Sequence, residues 1–375
     1  MKVVYFGSFD DSVSPRVRLL RDGLRAQEVT VVECRASGRW PLRWARLLRT
    51  LPQVAQGADL LLVGKPGQRE LPLAAAAARV LGIPLALDLF ASLWLNEVVE
   101  RRRVVPGSAA AWKLRQLDRF ALRHSDLALV DTRAHGQLIA ARLAGGLPRV
   151  APMRRVFVGA EPCFTPQTHV RRTGSMEALF VGTFIPFHGI EVILHAADRL
   201  RDEQGLHFTL LGDGQTRRAM EQLAARLALP NVRFEEPLPY ARLPARIARA
   251  DLCLGTFGAT PTAQVVIPKK VFAALACARA VVTADGPGPR EALDPSTAYL
   301  CPPDDPAALA ATLRRALDDR SGRHAIAERG HALHQRLFTP AATGAACRAA
   351  LAELLAHARA PSRAMEDGPI AETPR

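Results

Sequence analysis

Short apolar runs alternate with amphipathic segments along almost the whole chain. In the first half the runs are KVVYFG, VTVVEC, DLLLVG, PLALDL, DLALVDT and PRVAPMRRVFVG. In the second half the same spacing returns with EALFVGT, HFTLLGDG, NVRFEEP, ADLCLGTF, AVVTADG and AYLCPP. Runs rich in Val, Ile and Leu between helical segments are typical of βα units stacked into a parallel sheet. We therefore predict an α/β fold with two doubly wound, Rossmann-like domains that face each other across a cleft.

The periodicity is interrupted once near the middle of the chain, where Pro, Thr, Gly and Arg accumulate. This predicts an amino-terminal domain at 1–165, a linker at 166–176 and a carboxy-terminal domain at 177–340. A last helix at 341–358 has no strand after it, so we expect it to pack back across the cleft. The tail at 359–375 is expected to be disordered.

The composition argues against several classes of protein. The opening MKVVYFGSF reads as a strand followed by a glycine turn, without the pattern of a signal peptide. The longest apolar region, 71–95, is broken by Arg79, Pro84 and Asp88, so we predict no transmembrane helix. The six cysteines include no Cys-x-x-Cys pair, which argues against a disulfide framework and a zinc site. We expect a cytoplasmic protein.

Positive charge is concentrated in the first half of the chain. Residues 1–165 contain 25 basic and 14 acidic residues, a net charge of +11 out of the total of +14. This asymmetry favours an anionic partner, which could be a phosphorylated acceptor, a membrane surface or a nucleic acid. No helix-turn-helix, zinc or RNP motif is present, so we do not expect nucleic acid to be the partner. An arginine-rich, solvated surface is the alternative explanation.

The segment GRWPLRWARLLRTL predicts an amphipathic helix within this basic half. Arginines at 39, 43, 46 and 49 occupy one face. The opposite face holds five large apolar residues, Trp40, Trp44, Leu47, Leu48 and Leu51. Such a helix can lie on an anionic membrane, which for a cytoplasmic protein is the inner membrane face, or it can pack its tryptophans into the domain, which is the commoner arrangement.

In doubly wound sheets, ligands bind beyond the carboxyl ends of the strands, at glycine turns and helix starts. One helix start is unusual, because in VIPKKVFAALA the residue Pro268 places Lys269 and Lys270 in the first helical turn. The helix dipole disfavours cations at this end, so the two lysines indicate an anionic ligand. Solvated surface lysines are the alternative.

Several segments follow one another in a recognisable order and spacing. They are ALFVGTFIPFHGIEVILHAADRL, FTLLGDGQTRRAM, IPKKVFAALACARAVVTADGPGPREAL and LCPPDDPAALAATL. Together they resemble the retaining nucleotide-sugar glycosyltransferases of family 4 (group 1), which have the GT-B fold. The resemblance is strong from Glu177 to Leu313 and fainter in the first half, where LDLFASLWLNEVVERRR is similar to a subgroup.

The resemblance implies a reaction and its participants. A sugar would move from a nucleoside-diphosphate sugar to a hydroxyl acceptor with retention of configuration, in glycan, glycolipid or natural-product biosynthesis. The acceptor would be a lipid-linked glycan or a small molecule. No cofactor and no metal ion are expected, because Lys270 and its helix start can stabilise the departing phosphate.

The resemblance and the positions of the turns also indicate individual site residues. Asp88 and Lys270 are the expected catalytic residues. The expected donor-binding residues are Gly182, Thr183, His188, Gly189, Gly212, Asp213, Gly214, Pro237, Leu238, Lys269, Gly286, Gly288 and Glu291. The expected residues on the acceptor side of the cleft are Gly7, Arg16 and Ser92.

The sequence also departs from the family. The Glu-x7-Glu pair that grips the donor in many members is replaced by Val265 and Ala273. Losing a charged contact to the ribose costs about 1.5–3 kcal/mol of donor affinity and leaves the bond-breaking step untouched. The chain is therefore either an active transferase with a changed ribose contact or a catalytically inactive homologue that binds a partner. The other departures are Thr183 and His188 in place of an Arg and a Lys, and Ala278 and Ala280 in place of a Gly and a Pro.

Overall fold

The computed structural model describes residues 1–9, 14–65, 67–167 and 175–359. Within these residues each half of the chain forms one parallel sheet of six strands. The first sheet has the order β2-β1-β3-β4-β5-β6 and contains β1 (Lys2–Gly7), β2 (Thr30–Arg35), β3 (Leu60–Val63), β4 (Leu85–Asp88), β5 (Leu127–Val130) and β6 (Met153–Arg155). The second has the order β12-β11-β10-β7-β8-β9 and contains β7 (Met176–Val181), β8 (Leu206–Leu211), β9 (Val232–Glu235), β10 (Leu252–Leu254), β11 (Ala280–Ala284) and β12 (Tyr299–Cys301). The predicted pair of doubly wound domains is confirmed.

Helices cover both faces of each sheet, which explains why the strands are continuous apolar runs. In the first domain they are α1 (Pro15–Ala26), α2 (Leu42–Val54), α3 (Leu71–Leu81), α4 (Ala109–His124) and α5 (Arg133–Leu143), with a π-helix at Leu95–Glu100. In the second half they are α6 (Ile190–Arg199), α7 (Arg217–Arg226), α8 (Leu243–Ala248), α9 (Pro261–Val265), α10 (Lys269–Ala276), α11 (Pro306–Asp318), α12 (Arg320–Leu337) and α13 (Pro340–Arg359). Short 3-10 turns occupy Gly67–Arg69, Pro186–His188, Tyr240–Arg242 and Pro289–Glu291.

The last helix, α13, lies on the amino-terminal domain, although it follows the carboxy-terminal domain in sequence. Leu351 and Leu355 join Leu20 and Leu24 of α1 in one buried cluster. The two helices approach most closely at two glycines, since a Cβ on Gly23 would lie 2.9 Å from the Gly344 Cα.

The two chain segments that connect the domains also touch each other, because the amide of Ala160 donates to the carbonyl of Phe338 at 3.0 Å. Most of the expected linker and tail, residues 168–174 and 360–375, lies outside the described residues.

Helix α2 only partly matches the predicted amphipathic face. Leu47 and Leu51 are buried, and Trp44 packs against the same core. Trp40 and Leu48 do not follow, because they are 66% and 50% exposed. Trp40 precedes the first residue of the helix, which explains why the helical projection misplaces it. No helix among the described residues combines the length and the apolar character needed to cross a membrane.

Candidate active site

A cavity of about 620 Å³ lies between the two domains. Its amino-terminal wall follows the carboxyl ends of β3, β4 and β5 and includes Lys65, Phe90 and Asp131. Its carboxy-terminal wall is formed by the loop after β7 and by the start of α10, and it includes Gly182 and Lys270. These are the positions at which doubly wound sheets bind ligands.

Lys270 brings a buried side-chain amine to the wall of the cleft. Its Nζ is shielded from solvent and has no hydrogen-bond acceptor among the described residues. The atom lies 3.4 Å from the centroid of the Phe180 ring, and burial lowers the pKa of Lys270 well below its usual range. Gly182 leaves the space that the ammonium occupies, since a Cβ there would lie 2.9 Å from Nζ. Because an unpaired buried charge is costly, Lys270 is suited to bind an anion that enters the cleft.

His188 stands where the family has a lysine, and it adds no positive charge. Its Nδ1 lies 2.5 Å from the carbonyl oxygen of Thr183, so this nitrogen carries the proton and donates it. Burial, followed by the nearby Lys270, lowers the pKa of His188 well below its usual value. The imidazole is therefore neutral, with Nε2 as an acceptor for a ligand hydroxyl.

Cations in the cleft outnumber the acids that could neutralise them. Four line the cavity without a carboxylate within salt-bridge distance in the described part of the chain: Lys65, Arg101, Lys269 and Lys270. Arg101 belongs to the amino-terminal domain, but its carbonyl accepts from the Gln215 side chain at 2.8 Å, which fixes it against the opposite wall.

Each of the three acids that line the cavity is hydrogen-bonded to another group of the described chain. The pairs are Glu100 with Thr260 and Thr262, Asp131 with His135, and Glu161 with Arg18 and Tyr240. The Asp131–His135 pair is buried, with His135 Nδ1 2.5 Å from a carboxylate oxygen. None of these three acids forms a salt bridge with the four basic residues that line the cavity. Among the described residues, no group of three or more His, Cys, Asp or Glu side chains could hold a metal ion.

Asp88 and Arg16 do not line the cleft, which corrects the expectation that they face it. Arg16 Nη2 donates to Asp88 at 2.9 Å, and its Nη1 donates to the carbonyls of Val156 and Phe157 at 2.8 and 2.9 Å. Both side chains are 1% exposed. The strand-end carboxylate turns inward because a buried guanidinium needs an anion. The pair joins β4, α1 and the segment after β6.

The other two residues that we expected on the acceptor side are Ser92 and Gly7. Ser92 lines the cavity, but its hydroxyl donates to Asp118 at 2.7 Å. Burial raises the pKa of that carboxyl to about 6. Gly7 ends β1 and is not among the residues that line the cavity.

The expected donor-binding residues divide into two groups. Gly182, Thr183, His188 and Lys269 line the cavity together with Lys270. The second group does not line the cavity, and two of its members, Gly212 and Gly214, support this wall from behind. A Cβ on Gly212 would lie 1.9 Å from the carbonyl oxygen of Gly182, so the Gly212–Gly214 turn carries the loop. The remaining expected residues outside the lining are Gly189, Asp213, Pro237, Leu238, Gly286, Gly288 and Glu291.

Glu291 joins the two domains. Its carboxylate accepts from the Ala134 amide at 2.8 Å and from Arg155 at 3.0 Å, both in the amino-terminal domain. Glu100 makes the reciprocal contact, accepting from the Thr262 amide at 3.3 Å. Each domain thus offers a carboxylate to the first turn of a helix in the other, where the helix dipole favours negative charge.

Two of the cleft residues that we did not predict could have been found from the sequence. Lys65 follows β3 and Asp131 follows β5, so both stand at carboxyl ends of front-half strands. Applying the strand-end rule to every strand would have found them. Arg101 carries no such signal, because the π-helix that places it has no distinct sequence pattern.

Comparisons with known proteins show similarity to glycosyltransferases. Residues 176–319 match the family Glycosyl transferases group 1. The putative colanic acid biosynthesis glycosyl transferase WcaI of Escherichia coli K12 is 33% identical over 143 residues, which are 37% of this chain and 35% of WcaI. Glycogen synthase of Mycobacterium tuberculosis is 28% identical over 232 residues, which are 61% of this chain and 54% of that enzyme. The matches thus span about a third and about half of the two relatives.

Similarity in structure extends over both domains. The crystal structure of Anabaena HepE in complex with UDP-glucose superposes with a TM-score of 0.68 at 15% identity, covering 94% of this chain and all of HepE. At this identity the superposition establishes the fold. The chain therefore has the GT-B fold, and residues 176–319 in its carboxy-terminal half match the glycosyl transferases group 1 family model.

Proposed function

We propose that the protein transfers a sugar from a nucleoside-diphosphate sugar to a hydroxyl acceptor with retention of configuration. The observation that carries this proposal is the buried Nζ of Lys270 at the start of α10 in the interdomain cleft, which has no hydrogen-bond partner among the described residues. A diphosphate bound there would give the ammonium charge-assisted hydrogen bonds and would restore its charge. HepE was crystallised with UDP-glucose, which supports a uridine nucleotide as the first donor to test.

The reaction breaks the bond between the sugar C1 and the departing phosphate oxygen, and forms a bond between C1 and the acceptor oxygen. The acceptor proton passes to the departing diphosphate, so no enzyme nucleophile is required. Negative charge grows on the diphosphate as the first bond breaks, and preorganised cations stabilise it. Lys270 and the amide groups at the start of α10 serve this role from one wall, and Arg101 from the other. These groups take the place of a metal ion.

The acceptor is proposed to be a lipid-linked glycan or a small molecule. Similarity to WcaI, a putative colanic acid transferase, supports a role in polysaccharide synthesis. The exposed residues Trp40, Leu42 and Leu48 lie on or beside the arginine-rich helix α2. This combination supports reversible binding to an anionic membrane surface on the cytoplasmic side.

Thermal-shift measurements with UDP and GDP test the proposal directly, since a ligand that binds the folded state raises the Tm. We expect UDP to raise the Tm of the wild type and of Lys113→Ala, an exposed control on α4, and not that of Lys270→Ala. No shift with either nucleotide would instead support an inactive homologue. An active preparation given UDP-α-glucose should yield an α-linked product by NMR, and a β-linked product would refute retention.

A further inference from the structure

Lys65 is a cation on the acceptor wall that the proposed reaction does not use. It follows β3 and its Nζ lies 3.7 Å from the centroid of the Phe90 ring, at the end of the neighbouring strand β4. No carboxylate comes within salt-bridge distance of it in the described residues. Lys65 is half-buried, and its Nζ lies over the Phe90 ring at the wall of the cleft, where an anion that enters the cavity can reach it.

The groups around Lys65 also favour the binding of an anion. Burial, followed by the positive charge of Lys269, lowers the pKa of Lys65 to about 7. The acids nearest to it are already committed, because Asp131 is bound to His135 and Asp88 to Arg16. No carboxylate in the described part of the chain therefore forms a salt bridge with Lys65 or Lys269.

The donor does not account for this pair of cations. A donor diphosphate at the start of α10 is matched by Lys270 on the carboxy-terminal wall and by Arg101, whose carbonyl is bound to Gln215. Lys65 lies on the amino-terminal wall, beyond the ends of β3 and β4. The cleft thus has a cation on the acceptor wall in addition to those that face the donor.

We infer that the acceptor carries an anionic group, a phosphate or a carboxylate, which Lys65 binds together with Lys269 while the acceptor hydroxyl faces the donor. This inference rests on the proposed function and names the chemical class of its acceptor. Phe90 supplies an apolar surface beside the anion, on which a sugar ring can lie. A neutral acceptor would leave the half-buried Lys65 without an anionic partner among the described residues.

The test uses the full-length protein saturated with UDP, so that the Lys270 site is filled. Glucose 1-phosphate, glucuronic acid and glucose are then titrated by calorimetry. The proteins are the wild type, Lys65→Gln, Lys65→Arg and the exposed control Lys113→Gln. We expect one of the two charged sugars to bind the wild type and the control, and glucose to bind at least about tenfold more weakly, which corresponds to about 1.4 kcal/mol. Which of the two binds identifies phosphate or carboxylate as the recognised group.

The variants test whether the positive charge of Lys65 binds the anionic group of the sugar. Lys65→Gln should weaken the charged sugar at least about tenfold, whereas Lys65→Arg should retain binding and UDP affinity should stay constant throughout. The inference is overturned if neither charged sugar binds, if glucose binds equally well, or if Lys65→Gln leaves the charged sugar unaffected. It is also overturned if Lys65→Gln weakens UDP, because Lys65 would then belong to the donor site. Failure of UDP to bind the wild type would remove the proposed function, and this inference with it.

Discussion

Replacing Asp88 by asparagine should destabilise the amino-terminal domain far more than an ordinary surface substitution. An asparagine side chain has almost the same shape as aspartate and keeps one acceptor oxygen, so packing is conserved. What disappears is the negative charge beside Arg16, whose guanidinium is completely enclosed. Arg16 would be left with neutral acceptors only, the carbonyls of Val156 and Phe157 and the asparagine amide.

The size of the effect follows from burial. Removing one partner of a buried ion pair typically costs about 3–5 kcal/mol, because the remaining charge is uncompensated. The chain offers a matched control in Arg154 and Glu353, which also form a pair with two hydrogen bonds, at 2.8 and 2.9 Å. Their side chains are 36% and 45% exposed, so Glu353→Gln should cost about 0–1 kcal/mol. Geometry is similar in the two pairs, and solvent access differs.

Urea unfolding followed by tryptophan fluorescence is the appropriate assay, since the four tryptophans all lie in the amino-terminal domain. The shift of the unfolding midpoint gives the free-energy change when the slope is unchanged. If Asp88→Asn lowers stability no more than Glu353→Gln does, the buried-pair interpretation is wrong. A stable but inactive Asp88→Asn protein would show that Asp88 takes part directly in the reaction.

Three further substitutions probe other parts of the site. Ala273→Glu places a carboxylate in the cleft and should tighten UDP binding by up to about tenfold in calorimetry; unchanged or weaker binding would show that the position is not a simple loss of the family's acid. Ala278 has φ 52°, where an L-residue is strained, so Ala278→Gly should raise the free energy of unfolding by about 1 kcal/mol, and a destabilised variant would contradict this. Glu291→Ala should accelerate hydrogen exchange at the Ala134 amide, measured by mass spectrometry, and unaltered exchange would mean that the carboxylate does not hold the helix.

The strands and the sheet topology could be predicted from the sequence because parallel strands buried on both faces are continuous apolar runs. The start of α10 was equally predictable, since Pro268 precedes it and the two lysines follow. The backbone conformation of Ala278 could also have been predicted. The resemblance places a glycine at this position, and Ala278 has a positive φ after the last turn of α10.

The orientation of strand-end side chains could not be predicted. Asp88 and Lys65 both follow or end apolar strands, and the pattern of neighbouring residues does not distinguish them. Asp88 turns inward because Arg16, 72 positions away in sequence, reaches it from α1. Lys65 turns into the cleft because Phe90 lies there. In both cases the deciding partner is distant in the chain, so local pattern carries no information about it.

The position of α13 has a consequence for how the protein is synthesised. Residues of α13 such as Cys347 and Leu351 complete the apolar cluster that covers one face of the first sheet. When a ribosome has produced the first domain, α1 covers only part of that face, and the residues of α13 that complete the cluster are about 200 codons away. The carboxy-terminal sheet can form during this interval. The domain that is translated first therefore completes part of its core last.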